Sequence, residues 1–325
     1  MRTNIWNYEK GQLCNREVAE SNNRESLRLL WEVMLEGALD LHTHSNVSDG
    51  KTSPPQLVQE VLTHRLKVFA LTDHDTIAGI EAISMLYEKL SQMGIDLPDF
   101  FPGVEISAEL DGQEVHLLGY YPSGSIRCLD GYLQERRMDR EARNRLLCAG
   151  ADSLGMPIQY SELSSEGGHV VGRLHMAQIL IRKGYVTSVK EAFERFLAEG
   201  KPLYIKRDLP AAETAIKQIR QTGGVPVLAH PALYKGWLRG EQAGSEADLQ
   251  KRFAALQAVG LQGVEVVHGE TLLAESRVVA AAAASLELLP TVGSDYHGSH
   301  KPHVHLYKDT DDFLPFLAEY FKEFQ

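Results

Sequence analysis

Long apolar runs are absent from this 325-residue sequence. A membrane-spanning helix needs about 20 consecutive, mostly apolar residues, and no segment approaches that length. The N-terminus carries polar residues such as Asn4, Asn7, Glu9 and Lys10, and it lacks the basic-then-apolar order of a signal peptide. We therefore expect a cytoplasmic protein with no membrane partner.

Cysteine is also scarce. The chain has three cysteines, Cys14, Cys128 and Cys148, which are odd in number and widely spaced, whereas disulfide frameworks use even sets at short spacing. Proteins of a reducing compartment keep such residues as thiols. We expect three reduced thiols, and neither a disulfide framework nor a cysteine-rich zinc site.

The sequence has no excess of positive charge. Its 44 Asp and Glu outnumber its 33 Lys and Arg, which gives a net charge of −11. Tight binding along a nucleic-acid backbone requires many basic residues on one surface, so we expect no long duplex nucleic acid as a partner. A small phosphate ester drawn to bound metal cations remains compatible with this charge.

Short apolar runs of β type alternate with amphipathic helical segments over most of the chain. This alternation is typical of a mainly parallel sheet or a (β/α) barrel, and the chain is long enough to bury a sizeable core. The predicted strands are residues 38–42, 68–72, 103–107, 115–120, 225–229, 263–267 and 289–293.

The alternation is absent from two segments. Residues 1–36 are polar and then helical in pattern, which predicts an N-terminal helical extension. Residues 121–205 lack β runs and carry a net charge of +2, while the rest of the chain carries −13. We predict a barrel built from residues 37–120 and 206–325, with a helical cap inserted at 121–205.

Imidazole and carboxylate side chains recur where the predicted strands end. Strand alternation places His42 and His44 on one face, and Asp49 follows in a turn before Gly50. Since the C-terminal ends of barrel strands meet at one face, such residues should converge there. Imidazole and carboxylate bind Zn, Mn and Fe. The later candidates are His74, Glu105, His116, His230, Asp295 and His297.

Four motifs around these residues resemble the PHP (polymerase and histidinol phosphatase) superfamily of metal-dependent phosphoesterases, over about residues 37–298. They are His42-Thr43-His44, Thr72-Asp73-His74-Asp75-Thr76, Leu228-Ala229-His230-Pro231 and Gly293-Ser294-Asp295-Tyr296-His297-Gly298.

A fifth element refines the resemblance. Gly172-Arg173-Leu174-His175 is similar to a Gly-Arg-x-His element in the helical insertion of stand-alone PHP phosphoesterases that act on nucleotides, although Leu174 stands where those proteins usually have Pro.

The resemblance implies a distorted (β/α)7 TIM-like barrel of the α/β class, with an inserted helical subdomain. It also implies two or three divalent transition-metal ions (Mn, Fe or Zn), with Glu105 as a bridging carboxylate and with Glu105, Asp295 and His175 in catalytic roles. The implied metal ligands are His42, His44, Asp49, His74, Glu105, His116, His230, Asp295 and His297.

Other polar residues receive supporting roles. We expect Asp40 and Asp75 to orient imidazoles by accepting their N–H groups, although Asp40 is equally well explained as a polar strand end. His175 and His268 could each protonate a leaving group, and for His268 we favour a surface or packing role. The histidines of the segment 300–305 are assigned no role.

Arginines of the predicted cap form a candidate substrate site. Arg136, Arg140 and Arg143 share one helix face at i, i+4 and i+7, and with Arg173 they could contact substrate phosphates; the alternative is a solvated face paired with acidic neighbours. The implied substrate is a nucleoside 3′,5′-bisphosphate or a short 5′-phosphorylated oligonucleotide. A phosphatase for a metabolite such as histidinol phosphate, or a non-catalytic PHP module, remains open.

Overall fold

The computed structural model describes residues 16–34, 37–123, 126–164, 171–240, 242–307, 317–318 and 320–321. In this part of the chain, seven strands form one sheet in which each strand pairs with the next along the sequence. The strands are β1 (Leu39–Asp40), β2 (Val68–Leu71), β3 (Asp99–Leu110), β4 (Gln113–Tyr120), β5 (Val225–Leu228), β6 (Gly263–His268) and β7 (Leu289–Gly293).

The two ends of the sheet meet next to β1 and β7. The Leu41 amide donates to the Val292 carbonyl at 3.0 Å, and the His44 amide donates to the Tyr296 carbonyl at 2.9 Å. The sheet is therefore a nearly closed barrel. The predicted distorted TIM-like α/β fold is confirmed.

Strand β4 reverses the direction of the sheet. It is antiparallel to both β3 and β5, while the other pairs are parallel. Asp111 and Gly112 join β3 to β4 with φ values of 51° and 80°, the positive range that a two-residue hairpin turn requires. Glu105 and His116 therefore lie within strands. The expectation that each candidate ligand ends a strand is wrong for these two residues.

Ten α-helices accompany the strands in the described residues. The first of them, Arg16–Met34, packs against β5, β7 and the helix Ala212–Gln221. Leu30 and Val33 are fully buried there. No helix in the described ranges combines the length and apolar character needed to cross a membrane. The helices are α1 (Arg16–Met34), α2 (Pro54–Thr63), α3 (Ala78–Gln92), α4 (Asp130–Ser153), α5 (Tyr160–Ser164), α6 (Arg173–Arg182), α7 (Val189–Ala192), α8 (Ala212–Gln221), α9 (Glu246–Ala258) and α10 (Leu273–Ala284).

The helices α4 to α7 occupy the chain between β4 and β5 and end in a π-helical turn, Phe193–Leu197. They enclose an apolar cluster of their own that includes Leu147, Met176 and Leu180. These helices lie within residues 121–205, and the division into a barrel, a cap and an N-terminal extension, with boundaries at 36, 120 and 205, stays a prediction. Of the predicted N-terminal extension, residues 1–15 and 35–36 lie outside the described part of the chain.

The cysteines differ from expectation. Cys148 is a free, buried thiol, whereas Cys128 is disulfide-bonded. The prediction of reduced thiols is therefore wrong for Cys128, because spacing along a sequence does not reveal which cysteines folding brings within bonding distance. Cys14 lies outside the described residues.

Candidate metal centre

The nine predicted metal ligands lie together at the end of the barrel where the parallel strands finish. His42 and His44 follow β1 closely, and His230 follows β5. The antiparallel pairing of Ser107 with His116 brings the middle of β3 and the start of β4 to the same end. The hairpin thus delivers to the cluster two ligands that a purely parallel sheet would supply from strand ends.

Glu105 lies at the centre of this cluster and is 1% exposed. Its two carboxylate oxygens face different imidazoles, so the carboxylate is placed to bridge two sites. Oε1 lies 2.8 Å from Nδ1 of His116 and 3.1 Å from Nε2 of His230, and Oε2 lies 3.3 Å from Nε2 of His42, 3.1 Å from Nε2 of His44 and 3.1 Å from Nδ1 of His74.

Two further carboxylates flank the cluster. Oδ1 of Asp295 lies 3.2 Å from Nε2 of His44 and 3.4 Å from Nδ1 of His297. Asp49 lies with Oδ1 3.2 Å from Nε2 of His297 and Oδ2 3.5 Å from Nε2 of His74. His74 and His297 are therefore each shared between two carboxylates, and His44 lies within 3.6 Å of three.

The arrangement fits divalent cations better than a network of hydrogen bonds. Nε2 of His42 and Nε2 of His44 lie 3.1 Å apart, roughly the separation of two ligand atoms that each lie about 2.0–2.2 Å from one ion. Among the described side chains, Glu105 Oε2 and the Nδ1 atoms of His44, His74 and His230 are buried without a hydrogen-bond partner. Imidazole and carboxylate without thiolate suit Mn, Fe or Zn.

Electrostatics keep the carboxylates in the form that binds metal. Burial raises the pKa of Glu105, but the imidazoles of His74, His116 and His42 outweigh burial and hold that pKa well below its usual value. Burial lowers the pKa of His116, yet the neighbouring Glu105 carboxylate brings it to about 10. Glu105 is therefore anionic, which is the form of a carboxylate that binds a cation.

Glu265 is a site residue that sequence reasoning missed. It lies in β6, and its Oε1 is 3.0 Å from Nδ1 of His42 while its Oε2 accepts the backbone N–H of His230 at 2.8 Å. A carboxylate in this position fixes the ring so that Nε2 faces the metal. The available signal was an acidic residue inside a strand whose residues are otherwise almost all apolar.

The expected role of Asp40 and Asp75 in orienting imidazoles is wrong. Asp40 Oδ1 accepts the backbone N–H of Ser294 at 2.9 Å, and Asp75 Oδ2 pairs with the Arg140 guanidinium. Both carboxylates are buried, but the groups that the fold turns toward them are backbone amides for Asp40 and arginines for Asp75. Asp40 therefore joins β1 to the segment after β7, and Asp75 anchors the cap.

Replacement of Glu265 by glutamine should lower metal affinity or kcat/KM by about 10- to 100-fold, the usual cost of removing a carboxylate that orients a ligand imidazole. Retained metal is measured after dialysis against a chelator. Glu213→Gln, in an exposed pair with Lys217 on α8, is the matched control. Equal metal retention in Glu265→Gln and Glu213→Gln would show that His42 does not depend on Glu265.

The two candidate proton donors occupy different places. Nδ1 of His175 accepts the backbone N–H of Gly172 at 3.0 Å, and the buried ring lines a cavity beside the metal cluster. His268 is 2% exposed, and its Nε2 lies 3.2 Å from Oδ2 of Asp295. A surface position for His268 is therefore wrong, and the ring packs directly behind Asp295.

The cavity beside the metal cluster has a volume of about 210 Å³ and joins the cluster to the cap. Asp49, His74 and His116 form its floor on the barrel side. Its other charged or imidazole-bearing lining residues are Glu114, Arg140, Arg143, Arg173, His175 and Arg207.

Two of the four arginines lining this cavity are already neutralised. Arg140 pairs with Asp75, and Arg207 pairs with Glu114. Arg143 and Arg173 have no carboxylate partner among the described residues, and burial together with Arg140 and Arg207 lowers the pKa of Arg143 to about 9. Arg143 and Arg173 are therefore the cations that an anionic ligand would meet.

Arg136 lies outside this cavity. Its guanidinium is 2.8 Å from Asp139 and 5.7 Å from the centre of the Tyr132 ring, so it is already paired. It lines a neighbouring cavity with Asp139 and Arg143. Arg207, which does line the cavity, was missed because it lies beyond the predicted cap, and the sequence around it carries no signal for a substrate contact.

Comparisons with known proteins agree with this geometry. Residues 40–201 match the family model of the PHP domain. A 5′-3′ exoribonuclease from Haemophilus influenzae is 31% identical over 261 residues, which cover 79% of this chain and 89% of that protein. The chain belongs to the PHP domain family. The resemblance found in the motifs is confirmed.

Other proteins extend the comparison of this PHP protein. A 3′,5′-nucleoside bisphosphate phosphatase from Chromobacterium violaceum is 28% identical over 80% of this chain and 87% of its own length. A crystal structure described as a metal-dependent phosphoesterase, from Bifidobacterium adolescentis, superposes with a TM-score of 0.70 at 27% identity, over 86% of this chain and 95% of that one. The PHP protein is a metal-dependent phosphoesterase.

Proposed function

We propose that this enzyme hydrolyses a phosphate ester of a nucleotide, either a nucleoside 3′,5′-bisphosphate or a short 5′-phosphorylated oligonucleotide. One observation carries the proposal: a single cavity has three metal-cluster residues on one side. On its other side are Arg143 and Arg173, which have no carboxylate partner in the described part of the chain. A substrate with two separated phosphates matches both sides. One phosphate would meet the metals and the other would meet the arginines.

The arginines suit the phosphate that does not react. A guanidinium offers planar, paired N–H donors that match phosphate oxygens, and Arg143 is already desolvated at 9% exposure. Its neighbours Arg140, Arg207 and Arg173 repel its charge. An incoming anion relieves that repulsion, so binding energy at this remote group helps to position the reacting phosphate.

The metal ligands hold the other half of the site. Bound divalent ions would supply a Lewis acid and a water of lowered pKa. The anionic carboxylates of Asp49, Glu105 and Asp295 would fix the positions of these ions. In all, the nine predicted ligands would hold two or three ions, with Glu105 as the bridging carboxylate.

His175 is the proposed proton donor to the leaving alkoxide. Because its Nδ1 accepts the Gly172 N–H, a neutral ring carries its proton on Nε2. The ring lines the same cavity as Arg173 and lies in the first turn of α6. General-acid help of this kind contributes typically about 10²- to 10⁴-fold to the rate.

The relatives support a nucleotide substrate. The proteins from H. influenzae and C. violaceum are named for RNA and for nucleoside bisphosphates, and both cover most of this chain. Their two names share the chemistry of a phosphate ester at the 3′ or 5′ position of a ribose, which is the class proposed here.

Phosphate release from a panel of substrates with added Mn²⁺ tests the proposal. Adenosine 3′,5′-bisphosphate and a short 5′-phosphorylated oligoribonucleotide should be hydrolysed faster than histidinol phosphate or a sugar phosphate, and a chelator should abolish release because the metals supply the water and the Lewis acid. Faster hydrolysis of histidinol phosphate would reject the nucleotide proposal and show that the substrate is a phosphorylated metabolite of another class. Undiminished activity after complete metal removal would reject the metal mechanism itself.

A further inference from the structure

The two oxygens of the Asp295 carboxylate have different surroundings. Oδ1 faces the imidazoles of the metal cluster, 3.2 Å from Nε2 of His44. Oδ2 faces away from them, 2.5 Å from Nζ of Lys301 and 3.2 Å from Nε2 of His268. The carboxylate is thus divided between a metal-facing oxygen and an anchored oxygen.

Lys301 lies between two carboxylates. Besides Asp295, its Nζ lies 3.2 Å from Oε2 of Glu270, and 30% of its side chain is exposed. His268, Glu270 and Asp295 are close enough together to hold a metal ion, but the ammonium already supplies a cation to both carboxylates. Lys301 follows the short 3₁₀ turn Gly298–His300, only six residues after Asp295.

The backbone conformation of Asp295 depends on contacts of this kind. Its φ is +60°, a left-handed conformation that costs a non-glycine residue free energy unless the surroundings hold it. His268 lies beside the same oxygen: its Nδ1 accepts the Glu270 N–H at 3.0 Å, and its buried Nε2 lies 3.2 Å from Oδ2 of Asp295. Side-chain contacts to Oδ2 therefore fix which oxygen reaches the metals.

We propose that Lys301 is a positioning residue for the metal centre: its ammonium holds Oδ2 of Asp295, so that Oδ1 alone is presented to the metal ions. The same ammonium takes the place of a metal ion between Glu270 and Asp295. The inference rests on the proposed ligand role of Asp295. It does not depend on which phosphate ester is the substrate.

Mn²⁺ binding to the metal-free full-length protein, measured by equilibrium dialysis without substrate, tests this role. Lys301→Met should weaken Mn²⁺ binding by about 10- to 100-fold, as expected for loss of a group that orients a ligand. Lys301→Arg retains a cation and should recover most of the affinity. Lys217→Met, at an exposed lysine paired with Glu213, should bind Mn²⁺ like wild type.

Equal Mn²⁺ affinity in Lys301→Met and wild type would overturn the proposal, and so would equal losses in Lys301→Met and Lys301→Arg. Glu270→Gln provides a test that does not depend on the folding of a Lys301 variant. It should leave the number of bound Mn²⁺ ions unchanged, because the ammonium and not a metal lies beside Glu270. Loss of one bound ion in Glu270→Gln would show that this cluster is itself a metal site.

Because no substrate is present in these measurements, their outcome is separate from the nucleotide proposal. A wild-type protein that binds Mn²⁺ tightly but hydrolyses no nucleotide would reject the proposed substrate and leave the role of Lys301 to be decided by the variants. Nucleotide hydrolysis together with unchanged Mn²⁺ binding in Lys301→Met would support the proposed substrate and reject the role of Lys301.

Discussion

Replacing Glu105 by alanine is expected to remove metal and to abolish phosphoester hydrolysis. This carboxylate faces five imidazoles with its two oxygens, so its loss disconnects ligands on both sides of the centre. The decrease in kcat/KM should exceed the roughly 10- to 100-fold that follows loss of a group behind a ligand. Elemental analysis and steady-state kinetics measure the two effects.

Glu109→Ala is the matched control for Glu105→Ala. It makes the same chemical change on the same strand, at a residue that lies 3.4 Å from Lys206 and away from the imidazoles, and it should keep metal content and activity. Glu105→Gln retains the side-chain volume and guards against misfolding of the alanine variant. If Glu105→Gln and Glu105→Ala both kept wild-type metal content and activity, Glu105 would not be part of the metal centre.

A second large effect is expected from the cap arginines. Adenosine 3′,5′-bisphosphate should exceed adenosine 3′-monophosphate in kcat/KM by about 10- to 100-fold, the equivalent of roughly 1.5–3 kcal/mol for one charge-assisted hydrogen bond. Arg143→Ala and Arg173→Ala should each reduce that advantage, because Arg143 and Arg173 are the cavity arginines without a carboxylate partner among the described residues.

Arg136→Ala is the control on the same helix as Arg143. Its guanidinium is already paired with Asp139 and lies outside the cavity, so the ratio of the two substrates should stay at the wild-type value. A ratio that is equally high in Arg143→Ala, Arg173→Ala and Arg136→Ala would mean that the second phosphate binds elsewhere. Equal kcat/KM for both substrates in the wild-type enzyme would mean that the second phosphate is not recognised at all.

The sequence by itself determined the family, the barrel and the nine candidate ligands that meet at its end. His42, His74, His230 and Asp295 lie in or just after a predicted strand, and parallel strands that close into a barrel must bring such positions together whatever the details of packing. The alternation of side chains between the two faces of a strand is also a local property. The sequence alone therefore predicts that His42 and His44 lie on one face.

The sequence could not determine which groups face one another across long separations. Glu265 lies 223 positions from His42 in the sequence and yet meets it. Asp40 and Asp75, which lie near ligands in sequence, turn to backbone amides and to Arg140. Partners of a buried carboxylate depend on which donors the fold leaves within about 3 Å. That distance is a property of packing between elements and not of either element.

Packing between elements also decided which cap arginine reaches the cavity and which way β4 runs. Helical spacing puts Arg136 and Arg143 on one face of α4, but only the position of that helix over the barrel leaves Arg143 beside the metal cluster and Arg136 beside Asp139. The hairpin at Asp111 and Gly112 placed His116 inside a strand. Local periodicity determined what each element presents, and tertiary packing decided which of those side chains share a site.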